Sequence, residues 1–204
     1  MRALLTMGLV ASLTGAAVLA QAPPNAAPAV PTVVKVGDMA PDFTMQGSDG
    51  KTHKLSEYRG KQAVVVAWFP RAFTQGCTIE CKSLAENGDK IKKYDVAYFM
   101  ASTDSIEDNT KFAKATSVTL QGRGGAPATV VEKKEADFPL LSDPTKEVAT
   151  KYGVLMANGQ AANRWTFYID KTGKVVAIDT AVRPATSAED MITKLDELKI
   201  AKKG

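Results

Sequence analysis

The sequence has little of the residue types that build metal sites and disulfide frameworks. It contains one histidine, His53, and two cysteines, Cys77 and Cys81, in 204 residues. No histidine follows the cysteines, which argues against a metal site that combines the two cysteines with a histidine from later in the chain. The sequence also lacks a block of like charge, because the lysines behind its net charge of +4 are spread along the chain. This pattern is typical of a solvated surface and predicts no nucleic-acid partner.

What is present is an ordinary folded composition. Apolar residues make up 45% and charged residues 24% of the chain, which argues against both a disordered and a membrane-embedded protein. Without an N-terminal export segment roughly 180 residues remain, the usual size of one domain with one core.

The first twenty residues have the pattern of a secretory signal peptide. Arg2 precedes an apolar stretch over residues 3–19, and small residues lead up to Ala20, which predicts cleavage after Ala20 and export to the bacterial periplasm or the medium. A retained membrane anchor is the alternative, but polar and glycine residues make the stretch weak for a span of about 20 residues. We therefore expect no stable membrane insertion after cleavage. Residues 21–34 are rich in alanine and proline and are predicted to be a disordered linker.

From residue 35 to residue 200 the sequence alternates between strand and helix patterns. This alternation, with one antiparallel hairpin near the end, predicts an α/β domain with a central mixed sheet, helices on both faces and an N-terminal hairpin, as in a thioredoxin-like fold. The predicted strands are 43–45, 52–55, 63–69, 96–101, 165–169 and 174–178. The predicted helices are 77–93, 105–115, 146–152 and one that begins at Thr186 or Ser187 with Glu189 in a capping box.

Residues 116–137 do not follow that alternation. Residues 121–127 form a cluster of glycine and proline breakers, and residues 132–135 are charged. The segment is predicted to be an exposed insertion.

The two cysteines follow a buried strand and a proline breaker, at the start of a helix. In the first helical turn, unpaired backbone N–H groups and the helix dipole favour the thiolate form of Cys77. The dipole supplies about 0.3–1 kcal/mol, less than the roughly 1.4 kcal/mol that corresponds to a tenfold change in ionisation. A cation close to the sulfur is therefore required.

A permanent structural disulfide is the alternative use of Cys77 and Cys81. A five-residue loop closed by a disulfide restrains the unfolded chain by only about 2 kcal/mol. On an intact helix, residues four apart have Cβ atoms about 5–6 Å apart, whereas a disulfide needs about 3.5–4.5 Å. The helix must therefore loosen before the bond forms, which favours a working redox pair.

The segment Pro70-Arg-Ala-Phe-Thr74-Gln-Gly-Cys77 resembles the Pro-x-x-x-Thr-x-x-Cys active-site motif of peroxiredoxins, in the AhpC/TSA-like redoxin superfamily. Residues 73–78 resemble its bacterioferritin-comigratory, or Q-type, branch. Residues 36–43, 138–144 and 164–170 are similar to family landmarks in the same order. The resemblance covers about residues 36 to 198 and excludes only the insertion.

The resemblance implies a thiol-dependent peroxidase that reduces hydrogen peroxide or organic hydroperoxides. Cys77 would attack the peroxide and become a sulfenic acid, and Cys81 would resolve it as an intramolecular disulfide. Thr74 would hydrogen-bond the thiolate and the substrate, Pro70 would shield the site from water, and Arg164 would hold thiolate and peroxide. Three residues separate the cysteines where the commoner Q-type pattern has four.

The cation has a second candidate, Arg71, which is nearer in sequence. Arg164 is preferred because the Thr-Phe-x-Ile-Asp that follows it is similar to the family's strand. The resemblance implies no cofactor and no metal, and a thioredoxin-like or other thiol reductant as partner. Resolution within one chain favours a monomer or a weak dimer.

Two other functions remain open at this point. The chain also resembles Sco-like copper-binding chaperones, which are exported, thioredoxin-like and marked by Cys-x-x-x-Cys. His53 lies upstream of the cysteines, however, and the soft ligands Met100 and Met156 are scattered methionines of the kind that more often pack a core. A thiol–disulfide oxidoreductase is the second alternative, although that chemistry favours Cys-x-x-Cys.

Overall fold

The computed structural model describes residues 33–122, 124 and 126–203. The predicted signal peptide and most of the predicted linker lie outside the described residues. No helix in the described part of the chain combines the length and apolar character that a membrane crossing needs.

A seven-stranded mixed sheet forms the centre of the domain. Its strands are β1 (Thr44–Gly47), β2 (Thr52–Lys54), β3 (Ala63–Trp68), β4 (Val96–Ser102), β7 (Leu140–Ser142), β8 (Thr166–Ile169) and β9 (Val175–Asp179). They are ordered β2-β1-β7-β4-β3-β8-β9. Strands β3, β4 and β7 are parallel, and the remaining neighbours pair antiparallel. Strands β5 (Ser117–Leu120) and β6 (Thr129–Glu132) form a separate antiparallel hairpin.

The helices are α1 (Gln75–Glu86), α2 (Gly88–Ile91), α3 (Ile106–Lys114), α4 (Glu147–Lys151) and α5 (Ser187–Glu197). Short 3₁₀ turns cover Leu55–Glu57 and Pro184–Thr186. The amino end of α3 is capped, because the Ser105 side chain accepts a hydrogen bond from the Asp108 amide.

The apolar run of β3 lies in the middle of the sheet and faces a core on each side. Every residue of β3 is buried, as expected for a strand covered on both faces. Val65 and Ala67 face what we call the first core, which α1, α2, α3 and α5 cover. Val64 and Val66 face the second core, which α4 covers. The predicted mixed α/β sheet with helices on both faces and an N-terminal hairpin is confirmed.

Two helix predictions need correction. The predicted helix 77–93 begins earlier, at Gln75, and breaks at Asn87 into α1 and α2. The predicted capping box of α5 is wrong, because the hydroxyl of Thr186 donates to the Asp190 carboxylate and caps no backbone amide.

The prediction of an exposed insertion is right only for its tip. Residues 121–122 and 126–130 are exposed. Val118 and Leu120, however, are buried on the inward face of β5, and Lys133 is buried just after β6. The hairpin therefore packs against the first core, because alternate residues of β5 are apolar and point inward.

Candidate active site

The turn that connects β3 to α1 places Cys77 at the carboxyl edge of the central strands. Cys77 is the third residue of α1, and its side chain is fully buried. Thr74 occupies the N-cap position in an extended conformation, and its carbonyl accepts a hydrogen bond from the Thr78 amide at 2.8 Å. Cys77 therefore lies in the first turn, where backbone N–H groups have no helical partner.

The preceding loop is held in place by its neighbours. The amide of Ala72 donates to the Asp104 carboxylate at 2.8 Å, just beyond the end of β4. Phe73 has a left-handed backbone with φ of 60°, and its ring packs edge-on to Phe112 at 5.1 Å between centroids. A non-glycine residue in this region stores about 1–3 kcal/mol of strain, so the surrounding contacts fix the loop that presents Cys77.

The sheet topology brings Arg164 to Cys77. Strand β8 runs antiparallel to β3, with Thr166 opposite Ala67, so the start of β8 lies beside the end of β3. Arg164 stands two residues before β8, and its Nη2 donates to the Cys77 sulfur at 3.2 Å. The required cation is therefore present at this sulfur.

The second partner of Arg164 is a carboxylate that was not anticipated from the sequence. Nη1 of Arg164 donates to Oε2 of Glu80, which lies one turn after Cys77 on the same face of α1. The Glu80 side chain is fully buried, and its Oε1 has no hydrogen-bond partner among the described residues. Burial raises the pKa of Glu80 to about 7, although the charge of Arg164 acts in the opposite direction. The spacing of three residues from Cys77 was the available signal.

The same contacts act on the guanidinium. Burial lowers the pKa of Arg164, but the charges of Glu80 and Cys77 outweigh that effect and raise it. One arginine therefore stays charged while it bonds both a carboxylate and a sulfur, which its fork of donors permits.

Gly76 makes this approach possible. A Cβ atom at Gly76 would lie 2.9 Å from Arg164 Nη2 and 3.9 Å from Pro184 Cγ. The guanidinium therefore occupies the space over the first turn of α1 that a side chain would fill.

Cys81 lies one turn beyond Cys77, and both cysteines are free thiols in the first core. Burial raises the pKa of Cys81 to about 11, while Lys133 is the group whose charge lowers it. At neutral pH Cys81 is therefore almost entirely a thiol, and it becomes a nucleophile only when its surroundings change.

The remaining predicted site residues lie in the loop between β3 and α1. Pro70 is half-buried at the end of β3, and Arg71 is exposed. The hydroxyl of Thr74 donates to the Arg71 carbonyl at 2.9 Å and not to the Cys77 sulfur. Of the two candidate cations, only Arg164 has a hydrogen bond to Cys77.

His53 lies on the other face of the sheet from the cysteines. It packs edge-on to Phe99 of the second core, and its ring nitrogens bond Tyr58 at 2.9 Å and Asp49 at 3.1 Å. The histidine that a copper site of the Sco type needs is therefore separated by the sheet from Cys77 and Cys81.

Comparisons with known proteins agree with this geometry. The AhpC/TSA family pattern matches residues 36–178. Peroxiredoxin Bcp of Escherichia coli K12 is 32% identical over 148 residues, which is 70% of this chain and 83% of that protein. The selenocysteine-containing peroxiredoxin PrxU of Peptoclostridium acidaminophilum is 33% identical over 155 residues, which is 74% of this chain and 70% of that protein.

Solved structures show the same likeness. Peroxidoxin BcpB of Mycobacterium tuberculosis has a TM-score of 0.66 and 25% identity, over 81% of this chain and 98% of that one. Thioredoxin peroxidase I of Plasmodium yoelii has a TM-score of 0.65 and 25% identity, over 81% and 91% of the two chains. The predicted thioredoxin-like fold and the resemblance to the bacterioferritin-comigratory branch are confirmed.

Proposed function

This chain belongs to the AhpC/TSA family, and we propose that it is a thiol-dependent peroxidase for hydrogen peroxide or organic hydroperoxides. The single observation that carries the proposal is the hydrogen bond of 3.2 Å from Arg164 to the Cys77 sulfur in the first turn of α1. The named relatives include peroxiredoxins from two bacteria and a thioredoxin peroxidase.

In the first step the Cys77 thiolate attacks one oxygen of the peroxide. The O–O bond breaks, the attacked oxygen stays on sulfur as a sulfenic acid, and the other oxygen takes a proton and leaves as water or an alcohol. Arg164 would stabilise negative charge first on the sulfur and then on the departing oxygen. Glu80 fixes the guanidinium, so this charge is in place before the peroxide arrives.

The loop residues would complete the binding site. Thr74 would bind the peroxide and the thiolate once its hydroxyl turns away from the Arg71 carbonyl, and Pro70 would keep water from the sulfur. Both roles follow from the motif, and both residues lie in the loop between β3 and α1 that leads to the buried Cys77.

In the second step Cys81 would attack the sulfenic acid of Cys77 and form an intramolecular disulfide. A thioredoxin-like protein or another thiol reductant would then reduce this disulfide and restore both thiols. Because the resolving cysteine is in the same chain, we propose a monomer or weak dimer, which light scattering would check. We also propose that the chain is exported, in which case the mature protein isolated from cells begins at Gln21.

Stopped-flow peroxide reduction by the wild-type protein, Cys77→Ser and Cys81→Ser tests the function. We expect Cys77→Ser to abolish the first step. Cys81→Ser should keep the first step and lose only recycling, with a sulfenic acid that dimedone traps. Peptide mapping of the oxidised wild-type protein should show a Cys77–Cys81 disulfide. A wild-type protein that consumes no peroxide would overturn the proposal.

A further inference from the structure

Lys133 is a buried charge that the steps above do not use. The residue comes directly after β6 and is only 5% exposed. Nζ donates to the carbonyls of Ala113 at 3.3 Å and Lys134 at 3.1 Å, and it lies 5.5 Å from the centre of the Phe112 ring. An ammonium has three donors, and two are used here. Lysine is almost never buried without a partner, so its place calls for an explanation.

The hairpin that carries Lys133 is attached to α1 next to Cys81. Nζ of Lys82 donates to the Glu132 carbonyl at 2.7 Å, and these residues are the chain neighbours of Cys81 and Lys133. Phe112, over which Lys133 lies, belongs with Cys81 to the first core. The hydrogen bond joins α1 to the end of β6 next to both residues, and the ammonium lies over a ring of the core that also contains Cys81. A charge acts more strongly in such an apolar environment than in water.

The electrostatics of the pair point the same way. Burial raises the pKa of Cys81, whereas the charge of Lys133 lowers it. Glu80 and Cys77 act on Cys81 in the opposite direction. The ionisable groups whose negative charge raises the pKa of Lys133 are Cys81, when it is a thiolate, and the exposed Glu135 of the same loop.

We propose that Lys133 is a positioning residue for the resolving step, in which its ammonium stabilises the Cys81 thiolate as that sulfur attacks Cys77. This inference rests on the proposed function and deepens it. The Cys81 thiol releases its proton to solvent, the thiolate forms the S–S bond, and the S–O bond of the sulfenic acid breaks. The departing hydroxide takes up a proton, so the sum is one disulfide and one water.

The size of the effect follows from two opposing trends. Loss of the ammonium raises the pKa of Cys81, and each increase of one in that pKa lowers the thiolate fraction about tenfold. The remaining thiolate becomes about threefold more nucleophilic, because the Brønsted coefficient for thiolate attack is about 0.4–0.5. The net loss is about three- to fourfold in rate for each unit.

The test separates the two chemical steps in Lys133→Met and Lys133→Gln, with Lys134→Met as the matched control because Lys134 is exposed. Stopped-flow tryptophan fluorescence would follow the sulfenic acid and then the disulfide. We expect both Lys133 variants to keep the first step and to slow the resolving step at least threefold at neutral pH. Lys134→Met should match the wild-type protein, and Lys133→Arg should recover most of the resolving rate.

A pH series distinguishes charge from structure. Burial lowers the pKa of Lys133, so the wild-type protein loses this ammonium as the pH rises. The ratio of resolving rates between wild type and Lys133→Met should therefore fall toward one at alkaline pH. A normal resolving rate in both Lys133→Met and Lys133→Gln would overturn the inference. So would a slow resolving rate that Lys133→Arg does not recover, if its ratio to the wild-type rate does not change with pH. Failure of the wild-type first step would instead overturn the proposed function.

Discussion

Arg164 donates a hydrogen bond to the sulfur of Cys77 across 87 residues of chain, at 3.2 Å. The opposite branch of the same guanidinium bonds Glu80, so the carboxylate and the sulfur are held by one planar fork. A carboxylate one helical turn after the nucleophile thus aims a cation at it.

Replacement of Arg164 by lysine should lower the second-order rate with hydrogen peroxide at least tenfold. A lysine ammonium is a single point charge on a flexible stem, so it cannot repeat the two-sided contact with Glu80 and Cys77. We expect a further loss in Arg164→Met, since removal of a charged hydrogen bond costs about 1.5–3 kcal/mol. Stopped-flow fluorescence under pseudo-first-order peroxide gives the rates.

Arg71→Met is the matched control for these variants. Arg71 lies in the same motif but is exposed, so its loss should leave the rate within about twofold. A large effect at Arg71 together with a small one at Arg164 would show that the other cation serves the thiolate.

The sequence predicts the place of Cys77 at the start of α1 and the strands of the sheet well, because both depend on residues that are close together in the chain. The apolar run of β3, the breaker at Pro70 and the two hairpins are patterns within a few residues of each other. Nothing local distinguishes Arg164 from Arg71, because the choice depends on the antiparallel pairing of β3 with β8. That pairing is a long-range contact, and only the family resemblance supplied it.

Burial of charge was the hardest feature to predict. Glu80 and Lys133 look like surface residues in sequence, since charged side chains are seldom buried. Glu80 can be buried because Arg164, which lies far away in sequence just before β8, pairs with its carboxylate. Lys133 stands among charged neighbours, yet the hairpin turns it inward. The inward residues of β5, Val118 and Leu120, alternate with polar ones, but four residues make a short signal beside a cluster of breakers.

Gly76→Ala should slow the reaction with peroxide about tenfold. The new Cβ would lie 2.9 Å from Arg164 Nη2, so the guanidinium must move away from the sulfur. Alanine within a helix is favoured over glycine by about 1 kcal/mol, which offsets part of the cost of moving Arg164 from the buried Glu80, and urea unfolding gives the net change in the free energy of unfolding. Gln75→Ala, at the exposed first residue of α1, is the control and should change neither quantity. A normal peroxide rate in Gly76→Ala would contradict the role given to the Arg164 contact.

Formation of the disulfide should weaken α1. The Cβ atoms of Cys77 and Cys81 must approach from a helical separation of about 5–6 Å to about 3.5–4.5 Å, which an intact helix does not allow. Hydrogen exchange with mass spectrometry should show faster exchange in peptides covering α1 after one equivalent of peroxide. Cys81→Ser, which stops at the sulfenic acid, should keep the protection of the reduced protein. Unchanged protection in the oxidised wild-type protein would mean that the disulfide fits the helix as it stands.

Glu80 should make the protein less stable as the pH rises from about 4.5 to about 7. Burial raises its pKa from an ordinary 4.5 to about 7, so within this window the folded protein holds a proton that the unfolded chain has released. The contribution of Glu80 to the free energy of unfolding is therefore complete below pH 4.5 and falls as the pH rises, by up to about 3 kcal/mol. Glu80→Gln has no such titration, and Asp143, whose pKa is also raised by burial, cancels in the comparison. Urea unfolding across the window should show the free energy of unfolding of the wild type, minus that of Glu80→Gln, falling as the pH rises. A difference that does not change with pH would mean that Arg164 keeps Glu80 ionised throughout the window, so that folding takes up no proton there.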